Sequence, residues 1–86
     1  MMNLLESLWQ DALRALKKVR WRRLLYVGVS PGDDVIRVQD RLGKKADGVY
    51  GTKTKNAVQG FQEYKKQKNP NGKVNRRTWG QLFPRG

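Results

Sequence analysis

The sequence predicts an all-α fold: a compact three-helix domain with two Asx-Gly turns, preceded by an amphipathic N-terminal helix. Three observations carry this. Apolar residues recur at helical spacing in four separate segments. A turn-and-cap phrase is written twice, at Asp47 and again at Asn71. No alternating run suggests a strand longer than a residue or two, at Val49-Tyr50 and Lys73-Val74.

Residues 1–27 form the first predicted unit. Leu5, Leu8, Trp9, Ala12, Leu13, Leu16 and Val19 share one helical face, and Asn3, Ser7, Gln10, Arg14, Lys17 and Lys18 take the other. Acids lie early and bases late, which suits the helix dipole. The stretch "VRWRRLLYV" then concentrates positive and apolar residues, and it reads equally as more helix or as a strand-like extension. Glu6, Asp11 and Arg14 interrupt the apolar run, so the segment is not expected to be an export signal, which places its positive charge first.

Residues 28–86 form the second unit, a domain of three short helices. Ser30-Pro31-Gly32-Asp33 reads as a helix start with Ser30 as N-cap and Pro31 in the first turn. Val35, Val38 and Leu42 mark the inward face of this helix, and "GKKADG" ends it. The second helix follows Gly51, with Ala57, Val58, Phe61 and Tyr64 expected inward, and "KKQKNPNG" breaks it. The third begins after Asn75 and buries Trp79 and Leu82. Gly60 and Gly80 each cost about 1 kcal/mol of helix stability relative to Ala, which suggests close helix approach.

The doubled phrase has a physical reading. Asp47-Gly48 aligns with Asn71-Gly72, Tyr50 with Val74, Gly51 with Asn75, Thr54 with Thr78 and Val58 with Leu82. An Asx side chain accepts from the backbone two residues on, and Gly supplies positive φ. Gly51 and Asn75 stand at N-cap positions. Thr54 and Thr78, three residues later, are placed to reach back to the cap as Glu does in a capping box. Each copy is thus a turn, an apolar anchor and a capped helix, and needs no chemistry to explain it.

These residues carry a family resemblance. Gly32, Asp34-Val35, Val38-Gln39, Leu42, Asp47-Gly48-Val49-Tyr50-Gly51, Thr54, Ala57-Val58, Phe61-Gln62, Val74, Thr78-Trp79 and Leu82 together resemble the peptidoglycan-binding domain of type 1. The resemblance covers residues 30–83. It departs from the family in a shortened loop between Leu42 and Asp47, and in Asn71 where Asp is common. It implies non-catalytic binding to bacterial cell-wall peptidoglycan, with cleavage left to partner domains. It says nothing about residues 1–27.

Composition agrees with a binding role. The chain has 86 residues, no Cys and no His, which removes Ser-His and Cys-His catalysis and the commonest metal ligands. No catalytic residue, metal or cofactor is expected. Asp33, Asp34, Asp40, Asp47 and Glu63 show no sign of a glycosidase pair. A net charge of +12 calls for a polyanionic partner, whether wall, anionic lipid or nucleic acid.

Peptidoglycan offers sugar faces, amides and carboxylates. The candidate contacts are therefore Gln39, Arg41, Tyr50, Gln62, Arg76, Arg77 and Trp79, although Trp79 is better explained as core. Gln39 and Gln62 also suit a second role, holding backbone groups of the turns. Residues 1–27 are expected to dock on a protein partner or self-associate, ahead of membrane contact. With no export signal evident, wall contact is expected through a phage or phage-tail-like particle or release at lysis. A wall-targeting piece of a peptidoglycan hydrolase is the alternative, and a small basic nucleic-acid binder the further one, without specific nucleic-acid recognition.

Overall fold

The computed structural model describes residues 20–84. The amphipathic pattern over residues 1–19 lies outside them. Among the described residues there are three helices: α1 (Asp33–Arg41), α2 (Thr52–Tyr64) and α3 (Arg76–Leu82). The core gathers Val35 and Val38 from α1, Val58 from α2, and Trp79 and Leu82 from α3, around Tyr50 and Val74 from the two turns. Burying each such side chain stabilises the fold by about 1.5–3 kcal/mol.

The segment before α1 resolves the two readings left open for it. Residues 20–27 are not helical. Leu25 forms an antiparallel bridge with Val74, donating N–H to the Val74 carbonyl (3.1 Å) and accepting the Val74 N–H (2.9 Å). Burial alternates along it: Trp21, Arg23 and Leu25 turn inward, while Arg22, Leu24 and Tyr26 face out. That is strand periodicity. Leu25 is 0 % exposed and belongs to the core, and Trp21 packs on its edge. The division expected after residue 27 therefore falls inside a packed segment.

Arg23 fixes the approach to α1. Its Nε and Nη2 donate to the two Asp34 carboxylate oxygens (2.8 and 3.0 Å), and Nη2 also donates to the Ser30 carbonyl (2.6 Å). The expected Ser30 cap is corrected accordingly. Gly32 is the N-cap, Pro31 precedes it, and the helix opens at Asp33. A Cβ on Gly32 would stand 2.9 Å from both Arg23 Nη2 and Asp34 Oδ1, so glycine is what lets this fork close.

Two further expectations are overturned. Tyr64 is 78 % exposed rather than inward, its ring beside the Lys65 ammonium. Gly60 and Gly80 make no close helix approach, since a Cβ at either would meet nothing within 4 Å.

Candidate functional site

The ends of α1 and α2, each with the turn after it, form one device that occurs twice. α1 closes with the Lys44 N–H on the Gln39 carbonyl (2.9 Å) and the Gly43 N–H on the Asp40 carbonyl (3.0 Å). α2 closes identically, with Gln67 N–H on Gln62 (3.0 Å) and Lys66 N–H on Glu63 (3.0 Å). Both are Schellman motifs, with Gly43 (φ 70°) and Lys66 (φ 57°) in the left-handed position.

The glutamine at each such helix end also clamps the following turn. Gln39 Oε1 accepts the Gly48 N–H (2.9 Å), while its Nε2 donates toward Asp47 Oδ1 (3.0 Å), the Val49 carbonyl (2.9 Å) and Thr54 Oγ1 (3.0 Å). Gln62 Oε1 accepts the Gly72 N–H (2.8 Å), and its Nε2 donates to the Lys73 carbonyl (2.8 Å) and Thr78 Oγ1 (3.0 Å). The Asx side chains complete the turns, Asp47 accepting from Val49 N–H (3.0 Å) and Asn71 from Lys73 N–H (2.9 Å).

This geometry corrects several ligand candidates. Gln39 and Gln62 are each 1 % exposed and spend both ends of their amides on the turns, so they have no face for a ligand. Tyr50 is buried, and its hydroxyl donates to the Gly72 carbonyl (2.6 Å), tying the first turn to the second. Burial pushes its phenol well above the ordinary tyrosine range. Trp79 is core, its ring 4.6 Å from that of Phe83. Arg41 is exposed at the end of α1, where its Nε donates to the Leu82 carbonyl (2.8 Å) at the end of α3.

The helix starts differ from expectation in one respect. Gly51 caps α2 with backbone alone, and Asn75 caps α3 by accepting the Thr78 N–H (2.9 Å). Neither Thr hydroxyl reaches back to its cap. Each instead receives the buried glutamine amide.

Arg76 and Arg77 remain on the surface at the start of α3. Arg76 brings in a residue that the sequence reading passed over: its guanidinium lies 5.9 Å from the Trp21 ring centroid. Trp21 Nε1 donates to the Val74 carbonyl (3.4 Å), so the indole is pinned by its polar edge. Beside it opens a cleft of about 460 Å³, walled by Arg20 and Trp21 on one side and by Arg76, Trp79 and Phe83 on the other. Gly80 and Pro84 complete its lining. The alternation of "WRRLLYV" was the signal that could have located Trp21 here. A second, smaller hollow of about 200 Å³ lies between Tyr26-Val27, Lys55 and the Asn71-Gly72-Lys73 turn.

Among the described residues no group of three or more acids could hold a metal ion, and no helix is long and apolar enough to cross a membrane. Asp34 and Asp47 both sit below the usual carboxylate range. Asp34 is held there first by its hydrogen bonds from Arg23, and Asp47 by the Val49 N–H and then the Gln39 amide. Both are structural anions.

Neither a curated protein nor a solved structure matches the chain. The family model PG_binding_1, the peptidoglycan binding domain, matches residues 31–82, more than half of the 86 residues and nearly all of the three-helix unit just described, and the chain belongs to that family.

Proposed function

We propose that this chain binds bacterial cell-wall peptidoglycan without cleaving it, and so holds whatever it is joined to against the wall. The observation that carries the reading is the family match over residues 31–82, on a fold whose doubled turns are rigidly clamped. The +12 charge supports it, because peptidoglycan presents free carboxylates. The wall-binding unit in this reading begins at or before Trp21, since Trp21 and Leu25 pack on the core.

The finer part of the reading concerns the setting. The helical spacing of residues 1–19 supports docking on a protein partner or a second copy. A phage or phage-tail-like particle, or a hydrolase acting at lysis, would give such a docking face a use. Genes for tail assembly beside this one would favour the particle, and a lysis cassette would favour the hydrolase.

Co-sedimentation with purified insoluble peptidoglycan at moderate salt tests the reading. The expected result is that the chain pellets with the wall, and recovery in the supernatant would overturn it. Charge alone also favours a nucleic-acid reading. Its mark would be DNA binding that weakens steeply with salt in a chain that ignores the wall.

A further inference from the structure

The cleft between the 20–21 segment and α3 combines an aromatic wall with two arginines. It has an aromatic wall, Trp21, whose Nε1 is already engaged by the Val74 carbonyl and whose apolar surface is therefore what it offers. It has two exposed guanidinium groups, Arg20 and Arg76, one on each side. No acid lines it. The arginine that does meet an acid in this part of the fold is Arg23, whose partner is Asp34 and which does not line the cleft. The Gly80 position lies open, with nothing within 4 Å of where a Cβ would stand. Arg20 and Trp21 precede the family-matched residues, and Phe83 and Pro84 follow them.

We propose that this cleft is the wall contact and takes a free carboxylate of the peptidoglycan stem peptide. Arg20 and Arg76 grip the carboxylate, and the Trp21 ring covers the adjoining apolar part of the peptide. The inference rests on the peptidoglycan reading above and deepens it. Guanidinium groups match a carboxylate through paired N–H donors, and such charge-assisted bonds are the stronger kind. Arg76 is already oriented by its place over Trp21, so less side-chain freedom is lost on binding. A phosphate-bearing wall polymer would satisfy the same guanidinium groups, so the wall used in the test is stripped of such polymers.

Two glycines supply a matched test. Gly60 in α2 and Gly80 in α3 both sit mid-helix with open space at Cβ, so Glu is sterically tolerated at either, and each substitution changes the net charge equally. Only Gly80 lines the cleft. Binding of the full chain to phosphate-free insoluble peptidoglycan is measured for the wild type, Gly60→Glu, Gly80→Glu and Arg76→Gln, with thermal melts to verify folding. Gly80→Glu is expected to weaken binding at least tenfold and Arg76→Gln several-fold, with Gly60→Glu within twofold of wild type.

A soluble muramoyl tripeptide with free carboxylates is expected to compete. The same compound with its carboxylates amidated is expected to compete at least tenfold less well. If the wild type pellets but Gly80→Glu binds like Gly60→Glu, the cleft is the wrong site. Equal loss in both glycine variants points to bulk charge and also overturns it. Equal competition by the amidated compound overturns carboxylate recognition. A wild-type chain that stays in the supernatant overturns the peptidoglycan reading itself.

Discussion

The two clamps share a plan but differ at their ends. The first closes α1 with Gly43 in the left-handed position and opens α2 on Gly51, which has no side chain to cap with. The second closes α2 with Lys66 in that same position and opens α3 on Asn75, whose side chain does cap. Each copy therefore has one favourable end and one tolerated end. α2 has 13 residues and survives a weak start, whereas α3 has 7 and starts on a good cap. What the copies keep in common is the buried glutamine, which marks it as the part that holds the fold.

The largest effects should come from that common part. Gln39→Ala and Gln62→Ala each strand a buried glycine N–H and leave a turn carbonyl without its amide donor; the first also strands the Thr54 hydroxyl, whereas the Thr78 hydroxyl keeps a contact to Gln67 Oε1 (3.3 Å). Each should destabilise the protein by about 4 kcal/mol, read by urea denaturation. The two losses should agree to within about 1 kcal/mol. If one variant is near wild type while the other unfolds, the two devices are not equivalent.

The turn glycines sharpen the comparison. Both need positive φ, 81° at Gly48 and 75° at Gly72. A Cβ on Gly48 would touch only the Ile36 side chain at 3.5 Å, but one on Gly72 would stand 2.9 Å from the Lys55 carbonyl oxygen. Gly48→Ala should cost about 1.5 kcal/mol from backbone strain alone. Gly72→Ala should cost about 3 kcal/mol, because the α2 backbone must also give way. Equal melting temperatures for the pair would show that the second turn yields more easily than its packing suggests.

Repairing the weak ends should raise stability. Lys66→Gly removes a left-handed non-glycine residue and should gain about 1 kcal/mol. Gly51→Asn places an acceptor near the Thr54 N–H, as Asn75 does for Thr78, and should gain about 0.3 kcal/mol. Thermal melts of the two single variants and the double variant would show the gains adding, since the sites are distinct.

Much of the fold was legible in the sequence. The helices α2 and α3 begin after Gly51 and Asn75, where the cap positions fell, and Val35, Val38, Val58, Trp79 and Leu82 occupy the core. The sequence reading gave Gln39 and Gln62 a role in holding turn backbone, which the structure bears out, but it did not pair them as one repeated device. Asp47 and Asn71 are 24 positions apart, but Gln39 and Gln62 are 23 apart, because the second loop carries one more residue. An alignment in strict register slides past them. Trp21 and Leu25 were missed for another reason. Helical spacing upstream grouped them with the N-terminal segment, while their own period-two alternation spans too few residues to decide between helix and strand. The cleft follows from that miss, since it exists only where the 20–21 segment meets α3.

The smallest expected difference is electrostatic. Asp47 is ionisable where Asn71 is not, and its carboxyl lies below its ordinary value of 3.8. The unfolded chain therefore takes up this proton first as pH falls. The stability that Asp47 contributes is present above about pH 4 and is lost as pH drops through its folded value. Asp34, held by Arg23, follows the same sign. Asp47→Asn should flatten the acid limb of the stability profile and leave the Asp34 contribution in place, as equilibrium denaturation at stepped pH would show.

The hydroxyl of Tyr50 ends on the carbonyl of Gly72, the same residue whose N–H is held by Gln62. One glycine is thus gripped on both its polar groups, once from each repeat. Local opening of the second turn must release Tyr50, and with it the anchor of the first. The shared glycine couples the two copies, so hydrogen exchange at the Gly48 and Gly72 amides is expected to show a common opening free energy.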